Sequence, residues 1–286
     1  MTIALPHTRP PNAVLVEPIV LHALREDMGR AGDITTDLIV PDDANVSARL
    51  VARNPGSISG LIAAYQAFHT LDKTIQFYCE LADGSTTNSP AVLALVNGPA
   101  RTILSAERVA LNFVGHLSGI ATATRALVDT VAGTKARIVC TRKTTPGLRL
   151  LEKYAVRCGG GFNHRFGLDD AILIKDNHIA IAGGIRPAIE RVRAAASHML
   201  RIEIEIDTLD QLEEALALGI DTILLDNMSV EDLRRARAIT KDQAVLEASG
   251  NVTLETVRAI AETGVDYISA GAITHSARNL DVSLEF

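Results

Sequence analysis

The chain has 286 residues, with 34 acidic residues against 28 Lys and Arg and a formal net charge of -6. That acidic balance excludes the broad basic surface of a general nucleic-acid binder. With 47% hydrophobic and 22% charged residues but only 3% aromatics, the chain has a globular composition whose core must be built from Ala, Val, Ile and Leu, and it has no apolar run of membrane-spanning length.

The first dozen residues, with Pro6, Pro10 and Pro11, read as a loose tail without the apolar centre of a signal peptide. VEPIVLHALREDM then places Ile19, Val20, Ala23 and Leu24 on one helical face. After GDITTDLIVP come four short strand patterns, VSARLVARN, SISGLI, TIQFYCEL and VLALVNGP, separated by the turn sequences NPG, ADGS and NGP. This first α+β pattern ends near Leu104, and a long helical pattern, SAERVALNFVGHLSGIATATRALVDTVAG, leads out of it.

From Lys135 an apolar strand with a polar end, followed by a helix, recurs through six units: ARIVCTRK, AILIKDN, RIEIEID, TILLDN, AVLEASG and DYISAGA. Alternating strands and helices imply a parallel sheet with right-handed crossovers, and six units imply a barrel short of the common eight strands. Thr208, Ser229 and Thr253 suit helix N-caps, and Gly219 and Gly264 suit C-caps. The expected class is therefore α/β, an N-terminal α+β sandwich followed by an incomplete, six-unit α/β barrel. We place the first domain at 1–116, the barrel at 117–275, and at 276–286 a tail returning to the first domain.

Barrel chemistry sits at the carboxyl ends of the strands. Those ends supply Arg142-Lys143, Lys175-Asp176, Glu205 with Asp207, Asp226, Ser249-Gly250 and Gly271. Cations come first, acids next and small residues last. The cations suit a polyanionic ligand, the carboxylates suit Mg2+, and the last two ends suit a phosphate held by backbone N–H groups. The stretch TRKTTPGLRLLEKYAVRCGGGFNHRFG concentrates six cations, Arg142, Lys143, Arg149, Lys153, Arg157 and Arg165, around one acid, Glu152. Arg149, Lys153 and Arg157 recur at helical spacing, which predicts a solvated or interface face. Lys175 follows the apolar run AILI, where a lysine is costly without a partner or a task. Glu203, Glu205 and Asp207 alternate with Ile and so point one way, which demands a compensating cation, a metal, or an exit to solvent. His164 fits either a structural loop residue or a ligand group; His116 and His198 fit structural roles. Gly159 to Gly161 are expected to allow a close backbone approach or a sharp turn. The cysteines, Cys79, Cys140 and Cys158, form no CxxC pair and read as reduced thiols of a cytoplasmic protein.

These motifs together resemble the quinolinate phosphoribosyltransferase family. The resemblance runs from LREDMGRAGDITTD through AERVALNF, the cation-rich stretch with LDDAILIKDNHI, EIEIDTLDQLEEALALGIDTILLDNM and LEASGNVTLETVRAIAETGVDYISAGAITHSARNLDVSLEF. It implies a head-to-tail homodimer, in which 5-phosphoribosyl-1-pyrophosphate and quinolinate give nicotinate mononucleotide, pyrophosphate and CO2 with Mg2+. It implies that Arg142, His164, Arg165 and Lys175 hold the quinolinate carboxylates, with Arg108 entering from the partner. Lys143 would serve the pyrophosphate of the sugar donor. Glu205 and Asp226 would lie by the ribose and the metal, and Ser249, Gly250, Asn251, Gly271 and Ala272 would line the 5-phosphate site. The catalytic groups so implied are Lys143, Lys175, Glu205 and Asp226. Two departures stand out: Cys140 where many members have an acid, and Ala270 where Val is common. The alternatives are a related transferase-like protein associated with molybdenum uptake, a barrel lyase forming a Schiff base on Lys175, and a non-catalytic anion-binding protein.

Overall fold

A computed structural model describes residues 9–88 and 90–286; most of the expected N-terminal tail lies outside the described residues. The chain forms two compact units, each assembled from separated segments. The first comprises Met1–Arg125, Thr144–Gly160 and Ile273–Phe286; the second comprises Ala126–Lys143 and Gly161–Ala272. No helix among the described residues is long and apolar enough to cross a membrane.

The first unit opens with α1 (Ala13–Met28), capped by the side chain of Asn12, which accepts from the Val14 N–H at 3.1 Å. Its buried face is Val16, Val20 and Leu24. Then come α2 (Ile34–Ile39), β1 (Asn45–Ala52), β2 (Gly56–Ser57), α3 (Leu61–Leu71), β3 (Gln76–Cys79), β4 (Thr86–Thr87) and β5 (Ala91–Pro99). The expected strand SISGLI is a correction: pairing stops at Ser57, and Leu61 begins a helix. Gly60, at φ +100°, turns the chain, and the run LIAAYQAF buries Leu61, Ala63, Ala64, Ala67 and Phe68 at helical spacing. No side chain beside Gly60 caps this helix; Oδ1 of the distant Asp83 accepts the Leu61 N–H at 3.1 Å.

The long helix α4 (Ala100–Thr130) carries the chain onward to β6 (Arg137–Val139), after which α5 (Arg149–Cys158) returns to the first unit. The glycines after α5 have separate tasks. A Cβ on Gly159 would meet the Ala121 carbonyl oxygen at 2.4 Å and Thr124 Cβ at 2.6 Å, so α5 approaches α4 as closely as backbone allows. Gly160 makes the turn, at φ +87°.

The second unit continues with β7 (Ile172–Ile174), α6 (Asp176–Ala182), α7 (Ile185–Ala195), β8 (Ile202–Ile206), α8 (Leu209–Ala217), β9 (Thr222–Asp226), α9 (Val230–Thr240), β10 (Val245–Ser249), α10 (Val257–Ala261) and β11 (Tyr267–Ser269). All six expected strands form, and they make one parallel sheet in the order β6-β11-β10-β9-β8-β7. β6 and β7 are its two ends, which leaves the barrel incomplete. Thr208 caps α8 with Gln211 in a reciprocal capping box, and Ser229 caps α9. After α8, Gly219 donates to Leu216 O and Ile220 to Ala215 O, the paired bonds of a Schellman ending. Thr253 does not cap α10. That helix begins later, at Val257, and the Thr253 N–H itself donates to Thr256 Oγ1 at 2.9 Å.

After α11 (Ala272–His275), β12 (Val282–Glu285) pairs antiparallel with β1, completing a first-unit sheet of order β12-β1-β5-β3. We expect Gly159→Ala to destabilise the protein by about 1–3 kcal/mol, the usual cost of overpacking a filled site. Denaturant unfolding measures it, and a change below about 0.5 kcal/mol would contradict the close approach of α5 to α4.

Candidate active site

Strand register sets the site. Residues paired across a parallel sheet point to the same face. One row runs Glu205, Leu224, Glu247, Tyr267, Arg137, and the next, nearer the carboxyl ends, runs Asp226, Ser249, Ser269, Val139. The opposite face is apolar and buried, with Ile138, Ile174, Ile204, Ile206, Ile223, Leu225, Leu246, Ala248 and Ile268. The polar face therefore gathers acids on neighbouring strands. Lys175 follows β7 directly, Arg142 and Lys143 follow β6, Gly250 and Asn251 follow β10, and Gly271 and Ala272 follow β11.

The second cation group arrives by a loop. Phe162 runs parallel to β6: its N–H donates to Ile138 O at 2.8 Å, and its carbonyl accepts from Cys140 N–H at 3.2 Å. The Arg137 guanidinium lies 4.9 Å from the Phe162 ring centre. Cys140 also donates through Sγ to Asn163 Oδ1 at 3.4 Å, which helps tie this loop to β6. His164 and Arg165 follow. The Arg165 N–H donates to His164 Nδ1 at 2.8 Å, which leaves the ring proton on Nε2, and Nε2 donates to Glu203 Oε2 at 2.9 Å. Arg165 Nη1 donates to Ala171 O at 3.1 Å. Burial, and then the like charge of Arg142, hold the Arg165 cation below its ordinary pKa, while Asp170 and Glu203 oppose the shift. An anion placed between the two arginines relieves that strain.

The carboxylates expected to repel along β8 are compensated one by one. Glu205 Oε2 takes an ion pair from Lys175 Nζ, Glu203 takes His164, and Asp207 lies past the strand end, exposed. Asp226 Oδ2 accepts from Asn227 Nδ2 at 2.7 Å. Asn227 and Asn251 adopt left-handed backbones, φ 53° and 50°, and Asn251 Nδ2 donates to Asn227 Oδ1 at 3.4 Å. Between them Gly250, at φ +98°, admits no side chain: a Cβ there would fall 2.0 Å from Asn227 Oδ1. Non-glycine residues in this region carry backbone strain, which functional sites concentrate.

Sequence reasoning missed Glu247 and Asn227. Glu247 is 5% exposed, and its Oε1 lies 3.8 Å from His164 Nε2. Burial first, and Glu203 second, push its pKa up to about 7. An acid at an alternate position of the apolar run AVLEAS was the available signal. His164, Glu203 and Glu247 offer ligand atoms within 4.8 Å of one another, yet the His164 nitrogen facing the acids carries the proton, so this is a hydrogen-bonded group and not a lone-pair donor set. One expectation needs amendment. Lys153 is 2% exposed and so is not on a solvated face, because α5 is enclosed on that side. His116 contacts Glu152, at 2.8 Å. Arg108 is exposed on α4 and belongs to the first unit.

Family models for the quinolinate phosphoribosyl transferase N-terminal and C-terminal domains match residues 33–118 and 120–285. A Mycobacterium leprae protein named as a carboxylating nicotinate-nucleotide pyrophosphorylase is 46% identical over 273 residues, covering 93% of this chain and 95% of its own. The solved nicotinate-nucleotide pyrophosphorylase structure from Francisella tularensis superposes with a TM-score of 0.92 at 41% identity, covering 99% of each chain. That from Ehrlichia chaffeensis gives 0.90 at 42% identity, over 100% of this chain and 99% of its own.

Glu247 also makes stability depend on pH. Its folded pKa of about 7 exceeds the ordinary 4.5, so between those values the folded state binds more protons than the unfolded, and stability falls as pH rises. We expect Glu247→Gln to match wild type near pH 4.5, to gain on it up to about pH 7, and to hold a constant advantage above. Denaturant unfolding across that range checks this; a difference that does not change with pH refutes it.

Proposed function

We propose that this chain, which belongs to the quinolinate phosphoribosyltransferase family, transfers the phosphoribosyl group of 5-phosphoribosyl-1-pyrophosphate to quinolinate and releases CO2, giving nicotinate mononucleotide and pyrophosphate for de novo NAD synthesis in the cytoplasm. The observation that carries the reading is the cation set Arg142, Arg165 and Lys175, with His164, at the carboxyl ends of strands whose polar face carries paired acids. Quinolinate is a dianion near neutral pH. Two arginine forks and a lysine match its carboxylates, while His164, its proton turned to Glu203, lies beside Arg165.

In the proposed reaction the pyridine nitrogen attacks the anomeric carbon of the sugar donor. The carbon–oxygen bond to pyrophosphate breaks, and its electron pair leaves with that group. Positive charge develops on the sugar, where Glu205 and Asp226 stabilise it electrostatically. The ring nitrogen, now quaternary, withdraws electrons from the adjacent carboxylate-bearing carbon. The bond to CO2 breaks, its electron pair stays on that carbon, and a solvent proton replaces the carboxylate. Lys143 receives the departing pyrophosphate. Ser249, Gly250, Asn251, Gly271 and Ala272 receive the 5-phosphate. The left-handed backbones of Gly250 and Asn251 support that role, since successive N–H groups in such turns form anion-binding concavities. Glu205 and Asp226 are hard oxygen donors on neighbouring strands of one face, which suits Mg2+. Bound there, Mg2+ supplies charge neutralisation for the pyrophosphate. Schiff-base chemistry is disfavoured because Lys175 Nζ is engaged in an ion pair with Glu205 and the cations grouped beside it have no task in such a reaction.

The direct test supplies quinolinate, the sugar donor and Mg2+, and follows CO2 and pyrophosphate. Arg165→Ala and Lys175→Ala are each expected to lower kcat/KM for quinolinate by about 10²–10³. Wild-type values in both would sink the cationic pocket.

We further propose a homodimer in which the exposed Arg108 enters the partner's site. Mixed Arg108→Ala and Lys175→Ala subunits then form heterodimers with one doubly defective site and one intact site. Activity should recover toward about half of wild type per heterodimer, because the intact site regains its full set of transition-state contacts. No recovery after demonstrated subunit exchange rules this out.

A further inference from the structure

The only acid between Thr141 and Gly167 is Glu152, and it is 0% exposed. It lies on α5, and both of its carboxylate oxygens are engaged. Oε1 accepts from His116 Nε2 at 2.8 Å, and Oε2 accepts from the backbone N–H of Thr145 at 3.1 Å. A second residue of α5 reaches the same turn: Arg149 Nε donates to Thr144 Oγ1 at 2.9 Å. The turn closes with the Leu148 N–H donating to Thr145 O at 3.0 Å. Thr145 follows Lys143 by two residues in the chain.

A fully buried carboxylate is costly, and an apolar side chain of similar volume often stabilises a core as well or better. What an apolar side chain lacks is an acceptor for a backbone N–H. Glu152 supplies that acceptor in ionised form, 3.1 Å from the Thr145 nitrogen, and hydrogen bonds to charged groups are stronger than neutral ones. Glu152 therefore holds a loop where a hydrocarbon would only fill space, and the loop it holds leads directly out of the Arg142-Lys143 pair. His116, donating to the other oxygen, sets the orientation of the carboxylate.

We propose that Glu152 is a positioning residue for the segment bearing Arg142 and Lys143, acting through its bond to the Thr145 N–H with His116 as its brace. This rests on the reading that those two cations receive the anionic substrates. Two readouts on the full-length protein separate the claims: amide exchange at Thr145 in the absence of substrate, and steady-state kinetics with quinolinate and the sugar donor. Glu152→Met keeps the volume and removes the acceptor. Glu152→Asp keeps the charge and withdraws it by one methylene. In both we expect the Thr145 amide to exchange at least about tenfold faster and KM for the sugar donor to rise about tenfold, with kcat changed less, as loss of a charge-assisted bond implies. Glu152→Gln, whose amide oxygen still accepts the N–H while the other tautomer of His116 accepts from its NH2 through Nε2, should stay within about threefold of wild type in both readouts. The proposal is overturned if Thr145 stays protected in the Asp and Met variants, if Gln is as impaired as Met, or if exchange accelerates while KM does not move. Should the Met variant fail to fold, the contrast between Asp and Gln decides. Should the wild-type protein show no turnover of these substrates, the proposed function fails, while the exchange data still decide whether Glu152 holds the turn.

Discussion

Three glutamates, Glu203, Glu205 and Glu247, share one face of a parallel sheet and are largely withdrawn from water. A carboxylate in that position must be paired, hydrogen-bonded or protonated. Each takes a different course. Glu205 takes Lys175 from the next strand end, Glu203 takes His164 from the loop beside β6, and Glu247, 3.8 Å from the same imidazole, has its pKa raised by burial. Much of the surrounding arrangement follows from these three solutions. The loop carrying His164 must come back along β6 to reach Glu203, and in doing so it sets Arg165 against Arg142. The site thus has acids beneath and cations above.

The second constraint is steric. Gly250 sits against Asn227 with no room for a side chain, and two asparagines hold left-handed backbones on either side. Strain of this kind at the carboxyl ends of β9 and β10 is paid for by the rigid strands beneath. It leaves backbone N–H groups, and not long side chains, at the place where a phosphate is proposed to sit.

The barrel strands were legible because short apolar runs end in polar residues, as in TILLDN, and because RIEIEID alternates with a period of two. The caps at Thr208 and Ser229 were legible because their partners lie three residues away. The failures share a cause: the deciding partner was distant in sequence. α3 was hidden because its first N–H is held by Asp83, 22 residues on, while the adjacent residue is a glycine. Glu247 looked like one more strand residue until β8 and the His164 loop were placed beside it. The helical spacing of Arg149, Lys153 and Arg157 suggested an outward face, because spacing along one helix reports periodicity and not what packs against it. The placement of Arg108 in a neighbour's site came from the family resemblance alone.

The pairing of β12 with β1 bears on how the chain is made. Arg49 and Glu285 face each other across the sheet but are 236 residues apart in the chain. The whole of the second unit lies between them. On a ribosome moving at roughly 5–20 residues per second, β1 waits on the order of ten to fifty seconds for its outer neighbour. Through that interval one edge of the nascent sheet lacks its final strand, and an open edge is a template for pairing with another chain. β12, made after the whole of the second unit, therefore closes the edge of a sheet whose other strands precede that unit, and a chain released before β12 is made exposes that edge permanently.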